Sequence, residues 1–311
     1  KTTAAPLFRI ASDLSSEGWN LAGNRWYKDN DEFLPVYEGK MIWHFNHRAM
    51  TYEDQSFRPL AQHELTDPSF LAQPEYWINR NEINIKVPKS YSNLMGGRLI
   101  SNISNRRTLI YSLFPLSAAS HSLLIEFTPQ TKSFEYLHIS DHSSFIHDYI
   151  TRQKIGGTNV SKFIYEQLPN IGTAQFSSYL NFSFHVAELA INAWDVVNFE
   201  QPQPYIWNEE RRALIRAELD ALMFHLYKIG RDDVGYIMDT FPGVCKNDVK
   251  EFGEYKTKRL ILECYDRMAE FESTGKPYET LLNPPPADPS LRHTLTSRPD
   301  WADLYQPQNL V

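Results

Sequence analysis

Cysteine is nearly absent from this chain of 311 residues, which contains only Cys245 and Cys264. Two cysteines cannot supply a disulfide framework or a four-cysteine zinc cluster, so we expect neither. The sequence also lacks an uninterrupted apolar run of about 18 residues, the length that a membrane-spanning helix requires. No apolar signal core follows its basic start. We therefore expect a cytoplasmic protein that crosses no membrane.

The motifs of a self-contained active site are missing as well. The sequence has no phosphate-binding P-loop, no Gly-x-Ser-x-Gly nucleophile elbow and no paired-cysteine zinc motif. Asn283 is followed by three prolines, whereas the base-flipping loop of amino-methylating enzymes has an aromatic residue in its fourth position. We predict no catalytic residue in this chain and leave open whether it belongs to an enzyme.

Two weak metal-binding patterns are present. Asp31, Glu38 and Lys40 supply the residue types of a metal-dependent nuclease, in which carboxylates hold a cation and a lysine positions water. His44 and His47 are three residues apart and could both bind zinc if they lay on a helix. Matches this short are frequent by chance, so we predict no metal site and keep the nuclease as a remote alternative.

Charge is unevenly distributed along the chain. The formal net charge is −7, yet residues 80–162 contain ten Lys and Arg against five Asp and Glu. This segment therefore carries +5, and the remainder of the chain carries −12. A basic segment within an acidic chain can direct an anionic partner such as DNA to one face of the protein.

Short apolar segments in the middle of the chain predict a sheet. Ile83, Ile85 and Val87 alternate with polar residues, which is the period of a half-buried strand. Further short strands, bounded by turn residues, are predicted over residues 99–103, 108–113 and 122–127. Several strands without a long helix indicate a mixed or barrel-like sheet.

The last third of the chain predicts helices. Asn208 suits the N-cap of a helix whose first turn holds two glutamates. An apolar stripe follows at spacings of three and four residues, formed by Ile215, Leu219, Leu222, Leu226 and Ile229. We predict that this helix ends at Gly230, and that two more helices occupy residues 232–239 and 246–271.

These patterns predict an α+β fold with four regions. They are a connector at 1–34, a mixed-sheet domain at 35–205, a helical spacer subdomain at 206–272 and a C-terminal tail at 273–311. The tail contains seven prolines and little periodicity. We expect it to be extended and to lie over a surface of the protein.

The segment 152–159 has the residue types of a DNA-backbone contact. A predicted helix over 144–152 ends in two cations, and two glycines then allow a ligand to approach the backbone closely. We expect Thr158 to cap a second short helix, whose free N–H groups would suit a phosphate. The predicted DNA-binding residues are Arg152, Lys154, Gly156, Gly157, Thr158, Asn159 and Lys162, with Arg106 and Arg107 as a second pair. A plain helix–turn–helix connection with solvated cations is the alternative interpretation.

Several sequence elements resemble the C-terminal region of large adenine-N6 DNA methyltransferases. These are the type IIG restriction–modification enzymes and the related methyltransferases of BREX-like and DISARM-like phage-defence systems. The similar elements, in the order of that family, lie at residues 34–48, 74–77, 105–115, 145–159, 167–169, 217–227, 236–242 and 252–260. The chain departs from the family pattern at His44, Asn46 and Arg106, where Gln, Asp and Glu are common.

The resemblance implies that residues 35–205 form a DNA target recognition domain and that the helices after it form a spacer. The S-adenosylmethionine site and the methylation loop of the parent enzyme would precede Lys1, which fits a chain that does not begin with Met. The parent would methylate adenine N6 after flipping the base. Duplex DNA, the catalytic domain and other defence proteins are the expected partners, and this chain itself would need no cofactor.

A protein-docking module is the main rival interpretation. The acidic ends, the aromatic-rich segment 35–79 and the helical stripes could together form a surface for another protein. DNA binding would weaken steeply with salt because counterions are released. Docking would instead respond little to salt and would require a large exposed apolar patch.

Overall fold

The computed structural model describes residues 7–84, 87, 91–127, 132–171, 182–196, 203–275 and 278–305. The strands are β1 (Asn20–Ala22), β2 (Arg25–Lys28), β3 (Asp31–Tyr37), β4 (Met50–Glu53), β5 (Ser56–Pro59), β6 (Trp77–Asn79), β7 (Asn93–Arg98), β8 (Tyr111–Pro115), β9 (Ala118–Ala119) and β10 (Leu123–Glu126). The helices are α1 (Ala11–Ser16), α2 (Gln62–Thr66), α3 (Arg80–Asn84), α4 (Lys132–Ser143), α5 (Phe145–Lys154), α6 (Lys162–Tyr165), α7 (Ser183–Ala190), α8 (Glu209–Leu226), α9 (Arg231–Asp239), α10 (Pro242–Phe252) and α11 (Lys256–Thr274). The predicted α+β class is confirmed. Every helix among the described residues is too short or too polar to span a bilayer.

The strands form two sheets and a separate hairpin. The first sheet has the antiparallel order β1–β2–β3–β6, and the short β9 runs parallel to β3, which makes this sheet mixed. The second sheet has the antiparallel order β10–β7–β8. Its centre requires glycine, since a Cβ at Gly96 would lie 1.9 Å from the carbonyl oxygen of Leu124. In the hairpin β4–β5, Asp54 and Gln55 have φ values of 48° and 63°, which a two-residue hairpin turn needs.

The long helix α8 begins where the sequence predicts. The side chain of Asn208 accepts a hydrogen bond from the backbone N–H of Arg211 at 3.0 Å, which satisfies one free donor of the first turn. Ile215, Leu219 and Leu222 of the predicted stripe are buried. The helix ends at Leu226, four residues before the predicted stop at Gly230, which instead is the N-cap residue of α9.

One hydrophobic core joins the sheet segment and the helical segment. It contains Met95 and Leu113 of the second sheet together with Ile215 and Leu222 of α8. The predicted boundary between residues 205 and 206 therefore falls between segments that share a core. The boundary between residues 34 and 35 falls inside the continuous strand β3.

The sequence element 34–48 ends at a buried arginine that connects two loops. Arg48 is fully buried, and its guanidinium donates hydrogen bonds to the carbonyl oxygens of Asp67 and Phe70 and to Asn192 Oδ1, at 2.8, 2.6 and 3.0 Å. Burial lowers the pKa of Arg48 to about 10. This part of the family-like element thus holds two loops together rather than facing a ligand.

Several predicted strands and helices differ from those observed. Ile83 lies in the helix α3 rather than in a strand, and Ile85 lies outside the described residues. The strand predicted over 99–103 is displaced to β7, which ends at Arg98. The helix predicted over 246–271 is two helices, α10 and α11, because Gly253 takes a left-handed conformation (φ 77°) that ends the first.

The proline-rich tail packs onto the N-terminal sheet where it is described. The Tyr305 hydroxyl donates to Asn24 Oδ1 at 2.7 Å, and the Arg25 guanidinium lies 4.0 Å from the centre of the Tyr305 ring. Both Tyr305 and Leu282 are buried. The described part of the tail therefore packs against the first sheet and contributes buried side chains.

Candidate nucleic-acid interface

The predicted DNA-contact segment forms an exposed turn after α5. The buried residues Ile155 and Val160 anchor its two ends, and the residues between them, Gly156, Gly157, Thr158 and Asn159, are exposed. Two backbone bonds join the turn to the loop after β7: Ser101 N–H donates to the Thr158 carbonyl at 3.1 Å, and Val160 N–H donates to the Leu99 carbonyl at 2.7 Å. The turn is thus held open to solvent on a fixed base. We call residues 154–162 the turn surface.

Neither glycine of the turn surface is required by the fold. Both have ordinary negative φ values, and a Cβ at Gly156 or Gly157 would meet no atom within 4 Å. Since the chain itself gives no reason for glycine here, the open space in front of the two residues suits a ligand that approaches the backbone.

Cations and apolar side chains border the turn surface. Lys154 and Lys162 are exposed; Lys154 Nζ donates to Gln167 Oε1 at 3.3 Å, and Lys162 Nζ lies 3.2 Å from Glu166 Oε1 in a solvated pair. Contacts this exposed are weak and can be exchanged for a phosphate. The neighbouring loop and α6 add large exposed apolar side chains, those of Ile100, Ile103 and Phe163.

The second predicted helix starts later than expected. Thr158 and Asn159 do not cap it: Asn159 pairs with Ile100 in an isolated bridge, and the short helix α6 begins after Ser161. A four-residue helix offers no dipole-based phosphate site, so the prediction of helix N–H groups aimed at DNA is wrong for Thr158. Its backbone is instead used to fix the turn.

Arg107 and Arg152 form an internal network around the fully buried Asp148. Asp148 Oδ2 accepts from Arg107 Nε at 2.6 Å, and its Oδ1 lies 3.3 Å from Arg152 Nε. Arg107 also donates to the carbonyl oxygens of Ser143 and Ser144. A buried carboxylate needs cationic partners, because an unpaired charge in the interior is costly.

The sequence predicts that Arg107 and Arg152 contact DNA. In the structure, both arginines instead bind groups of the protein itself. The Arg152 guanidinium lies 4.1 Å from the centre of the Phe241 ring and donates to the carbonyl oxygens of Asn105 and Arg106 at 2.9 and 3.2 Å. Burial is the largest cause that lowers its pKa. Asp148 and Arg152 are four residues apart on one helix, a spacing that already indicates an ion pair. The pairing with Arg107 has no local signal.

Arg106 turns away from this network and stays exposed. Its guanidinium lies 5.0 Å from the centre of the Trp43 ring, and no hydrogen bond or ion pair engages it within the described part of the chain. Arg98 approaches the same ring at 5.4 Å, but donates to the carbonyl oxygens of Gly39 and Ile42, both at 2.6 Å. Of the two arginines at Trp43, Arg106 is the one available to a partner.

Arg106 stands beside a cleft of about 390 Å³ between the 43–46 turn and the helices α8, α10 and α11. This cleft is not predicted from the sequence, because its walls come from segments far apart in the chain. Its charged lining is mixed in sign and comprises Arg106, Arg107, Arg212, Arg216, Lys256, Glu209, Glu210, Asp220, Asp248 and Glu251. The aromatic lining consists of Trp43, Phe45, Phe145, Trp207 and Phe252.

His44 and Asp220 are two of the buried titratable groups in the lining of the cleft. Neither ring nitrogen of His44 has a hydrogen-bond partner among the described residues. Burial, followed by repulsion from Arg107 and Arg216, holds the pKa of His44 well below its usual range, so the ring is neutral. Burial also raises the pKa of Asp220 to about 6, although its Oδ1 accepts from Phe145 N–H at 2.7 Å.

The two weak metal patterns of the sequence are not assembled in the fold. Asp31 begins β3 and Glu38 follows its last residue, so about 23 Å of strand separate them at roughly 3.3 Å per residue. Lys40 pairs with Glu38 at 3.2 Å. His44 and His47 lie in a tight turn rather than on a helix, and His47 Nε2 lies 2.9 Å from Asp195 Oδ1.

The aromatic segment of the docking hypothesis packs largely inward. Tyr37, Phe45 and Trp77 are buried, and the stripe of α8 lies in the shared core. These residues therefore do not form an open surface.

Comparisons with protein-family models, with curated proteins and with solved structures give no match for this chain. The resemblance to adenine-N6 methyltransferases therefore rests on the sequence elements alone.

Proposed function

We propose that this chain is the DNA target recognition module of an adenine-N6 DNA methyltransferase. It would position duplex DNA for a catalytic domain outside the chain, and S-adenosylmethionine would be the cofactor of that domain. The observation that carries the proposal is the turn surface, where two glycines without an internal role stand open to solvent between Lys154 and Lys162. Backbone N–H groups and lysines of this kind contact phosphates and fix the register of a protein on DNA.

The geometry revises which residues would contact DNA. Lys154, Gly156, Gly157, Thr158, Asn159 and Lys162 remain proposed contacts on the turn surface, and Arg106 is a further one. Arg107 and Arg152 would act as positioning residues, because the network at Asp148 fixes both the loop that carries Arg106 and the helix that leads into the turn.

Selection of bound duplexes from a random DNA library, at two salt concentrations, would test the proposal. We expect enrichment of a short motif that is lost at high salt. Binding of the enriched duplex by the double variant Lys154→Ala/Lys162→Ala should be weaker. Its slope of log affinity against log salt should be shallower by about 2, because two phosphate contacts are removed.

The matched control is Lys246→Ala/Lys250→Ala, which removes two exposed lysines from α10. An equal loss of affinity in both double variants would show that net charge, not the turn surface, determines binding. Wild-type chain that binds no duplex in a salt-dependent way, even when joined to its catalytic domain, would contradict DNA recognition.

Protein docking is a second candidate, supported by a different set of side chains. Tyr236, Val249 and Phe252 on α9 and α10 are large, apolar and exposed at 62%, 48% and 45%. Docking through these residues would survive high salt. Substituting them with Ser would abolish docking and leave DNA selection unchanged.

A further inference from the structure

A second cluster of chemically capable side chains lies at the corner between α4 and α5. Asp141 and His142 are near the end of α4, and His147 is in the first turn of α5. All three are buried, with exposed fractions of 2%, 2% and 0%. One ligand atom from each lies within 4.8 Å of those of the other two. The helix break at Ser144 separates the two helices that carry these side chains.

The contact between His147 and Asp141 brings two hydrogen-bond acceptors together. His147 Nε2 lies 2.8 Å from the carbonyl oxygen of Pro169, which can only accept, so this nitrogen carries a proton. Nδ1 of a neutral ring is then also an acceptor. It faces Asp141 Oδ1 at 2.9 Å, and neither atom makes a hydrogen bond among the described residues. A cation between two facing acceptors would satisfy both.

The spacing of these two atoms suits a small tetrahedral ion. Ligand atoms on a tetrahedral zinc, with bonds of about 2.0 Å, are about 3.3 Å apart. The observed separation of 2.9 Å is within a few tenths of an ångström of that value. Two imidazoles and one carboxylate are a donor set that zinc accepts, whereas magnesium and calcium prefer oxygen ligands alone.

Each candidate ligand is also oriented by a hydrogen bond on the atom that would not bind the ion. His142 Nδ1 lies 3.1 Å from the carbonyl oxygen of His138, which leaves Nε2 for a ligand. Asp141 Oδ2 accepts from the Tyr227 hydroxyl at 3.1 Å, which leaves Oδ1. His147 is held by Pro169, as described above. Backbone carbonyls and hydrogen bonds that fix the far atom of each ligand are the usual outer shell of protein metal sites.

We propose that Asp141, His142 and His147 form a buried zinc site, in which these three protein ligands leave the fourth position to a water molecule. The ion would join the α4–α5 corner to the segment at Pro169 and to the end of α8 through Tyr227. This differs from the sequence-based prediction that the chain holds no metal. It is independent of DNA recognition, since its test measures the metal itself. The competing occupant of the site is a proton shared by His147 and Asp141.

The test is zinc content of the full chain, purified without chelator and dialysed, measured by mass spectrometry of the metal. We expect about one zinc per chain, because one set of three ligands holds one ion. Asp141→Asn keeps the size of the side chain and an acceptor for Tyr227, and His147→Gln keeps a polar group. Both variants should lose zinc affinity by at least about tenfold, since mutation of even an outer-shell partner typically costs that much.

His185→Gln is the matched control, because His185 sits in a similar buried pair with Glu218, at 2.7 Å. This variant should keep its zinc. Zinc-free wild type after incubation with zinc would overturn the proposal and assign the proton as occupant. Equal zinc content in all three variants and the wild type would overturn it as well.

A spectroscopic measurement covers the case in which a variant fails to fold. Cobalt(II) added to the metal-free wild type should give the intense visible bands of tetrahedral coordination, without the charge-transfer band of a thiolate. A weak octahedral spectrum, or a thiolate band that would point to Cys245 or Cys264, contradicts the assigned ligands.

Discussion

Two pairs of cations in the same basic segment have opposite surroundings. Arg107 and Arg152 converge on the fully buried Asp148 and stabilise the interior. Lys154 and Lys162, two and ten residues after Arg152, stand in solvent beside two unconstrained glycines. The comparison shows that a net charge of +5 over a segment does not measure the charge offered to a partner. Only the part of it that the fold leaves unpaired can attract DNA.

Removal of an internal arginine should have the largest effect on stability. Arg107→Ala removes the closer cation from Asp148 and leaves it Arg152, at 3.3 Å, and the backbone N–H of Thr108. Loss of one member of a buried ion pair costs about 3–5 kcal/mol. Urea unfolding should show this loss for Arg107→Ala and a change within about 0.5 kcal/mol for Lys154→Ala, as for surface substitutions generally. Equal stabilities of the two variants would contradict the distinction between the internal arginine and the exposed lysine.

Asp220 sharpens the comparison because it is a buried carboxylate without an ion pair among the described residues. Burial raises the pKa of Asp220 in the folded chain to about 6. The nearby cations Arg107 and Arg216 oppose this rise, and repulsion from Asp148 adds to it. The unfolded value is near 3.9, so folding favours the protonated form. Its stabilising effect is present below the unfolded pKa and is lost as pH rises through 6.

Asp220→Asn should therefore be more stable than wild type at pH 7, by about 2–3 kcal/mol for a shift of roughly two pKa units. The advantage should shrink as the pH falls from about 6 to 4, because protonated Asp220 resembles Asn. Urea unfolding across this pH range would check it. Parallel stability profiles for the two proteins would contradict the raised pKa.

Alanine at the turn glycines should separate stability from binding. Gly156→Ala/Gly157→Ala meets no steric obstacle within the chain, and such substitutions at compatible sites stabilise proteins by about 0.4–1 kcal/mol each. DNA affinity should nevertheless fall by about tenfold, which equals 1.4 kcal/mol of lost contact. Thermal unfolding and duplex titration measure the two effects. Unchanged DNA affinity would exclude close approach of the backbone.

Arg106→Ala should give only a small change in stability. It removes the contact with Trp43, and an exposed cation–π contact is worth about 0.5–1 kcal/mol. Duplex titration should show weaker binding, with a loss that depends on the base at one position if this arginine reads guanine. The Lys250→Ala variant supplies the baseline for loss of one exposed cation. A loss of the same size would reduce Arg106 to a nonspecific charge.

Local signals account for the parts of the fold that the sequence predicts correctly. The Asn208 cap, the apolar stripe of α8 and the strand at 122–127 all follow from spacing within a few residues. The exposed turn at 156–159 follows from two adjacent glycines in the same way. The helix α4 escaped prediction because its polar and histidine-rich face lies against other side chains rather than solvent.

Contacts between distant segments could not be predicted. The partner of Arg107 is 41 residues away, so a surface arginine and a buried one look alike in the sequence. The same holds for the cleft at Trp43, whose walls come from five separate segments of the chain. Ile83 alternates as a strand would, yet tertiary packing places it in a helix.

The contact between Tyr305 and Asn24 closes a loop of 281 residues. A ribosome releases a chain from its N-terminus, at about 5–20 residues per second. The Tyr305 side chain, which covers Asn24 and Arg25, therefore emerges many seconds after the first sheet. Until then these two buried polar residues lack the contacts that Tyr305 gives them, and the N-terminal region reaches its native packing only after nearly all of the described chain has emerged.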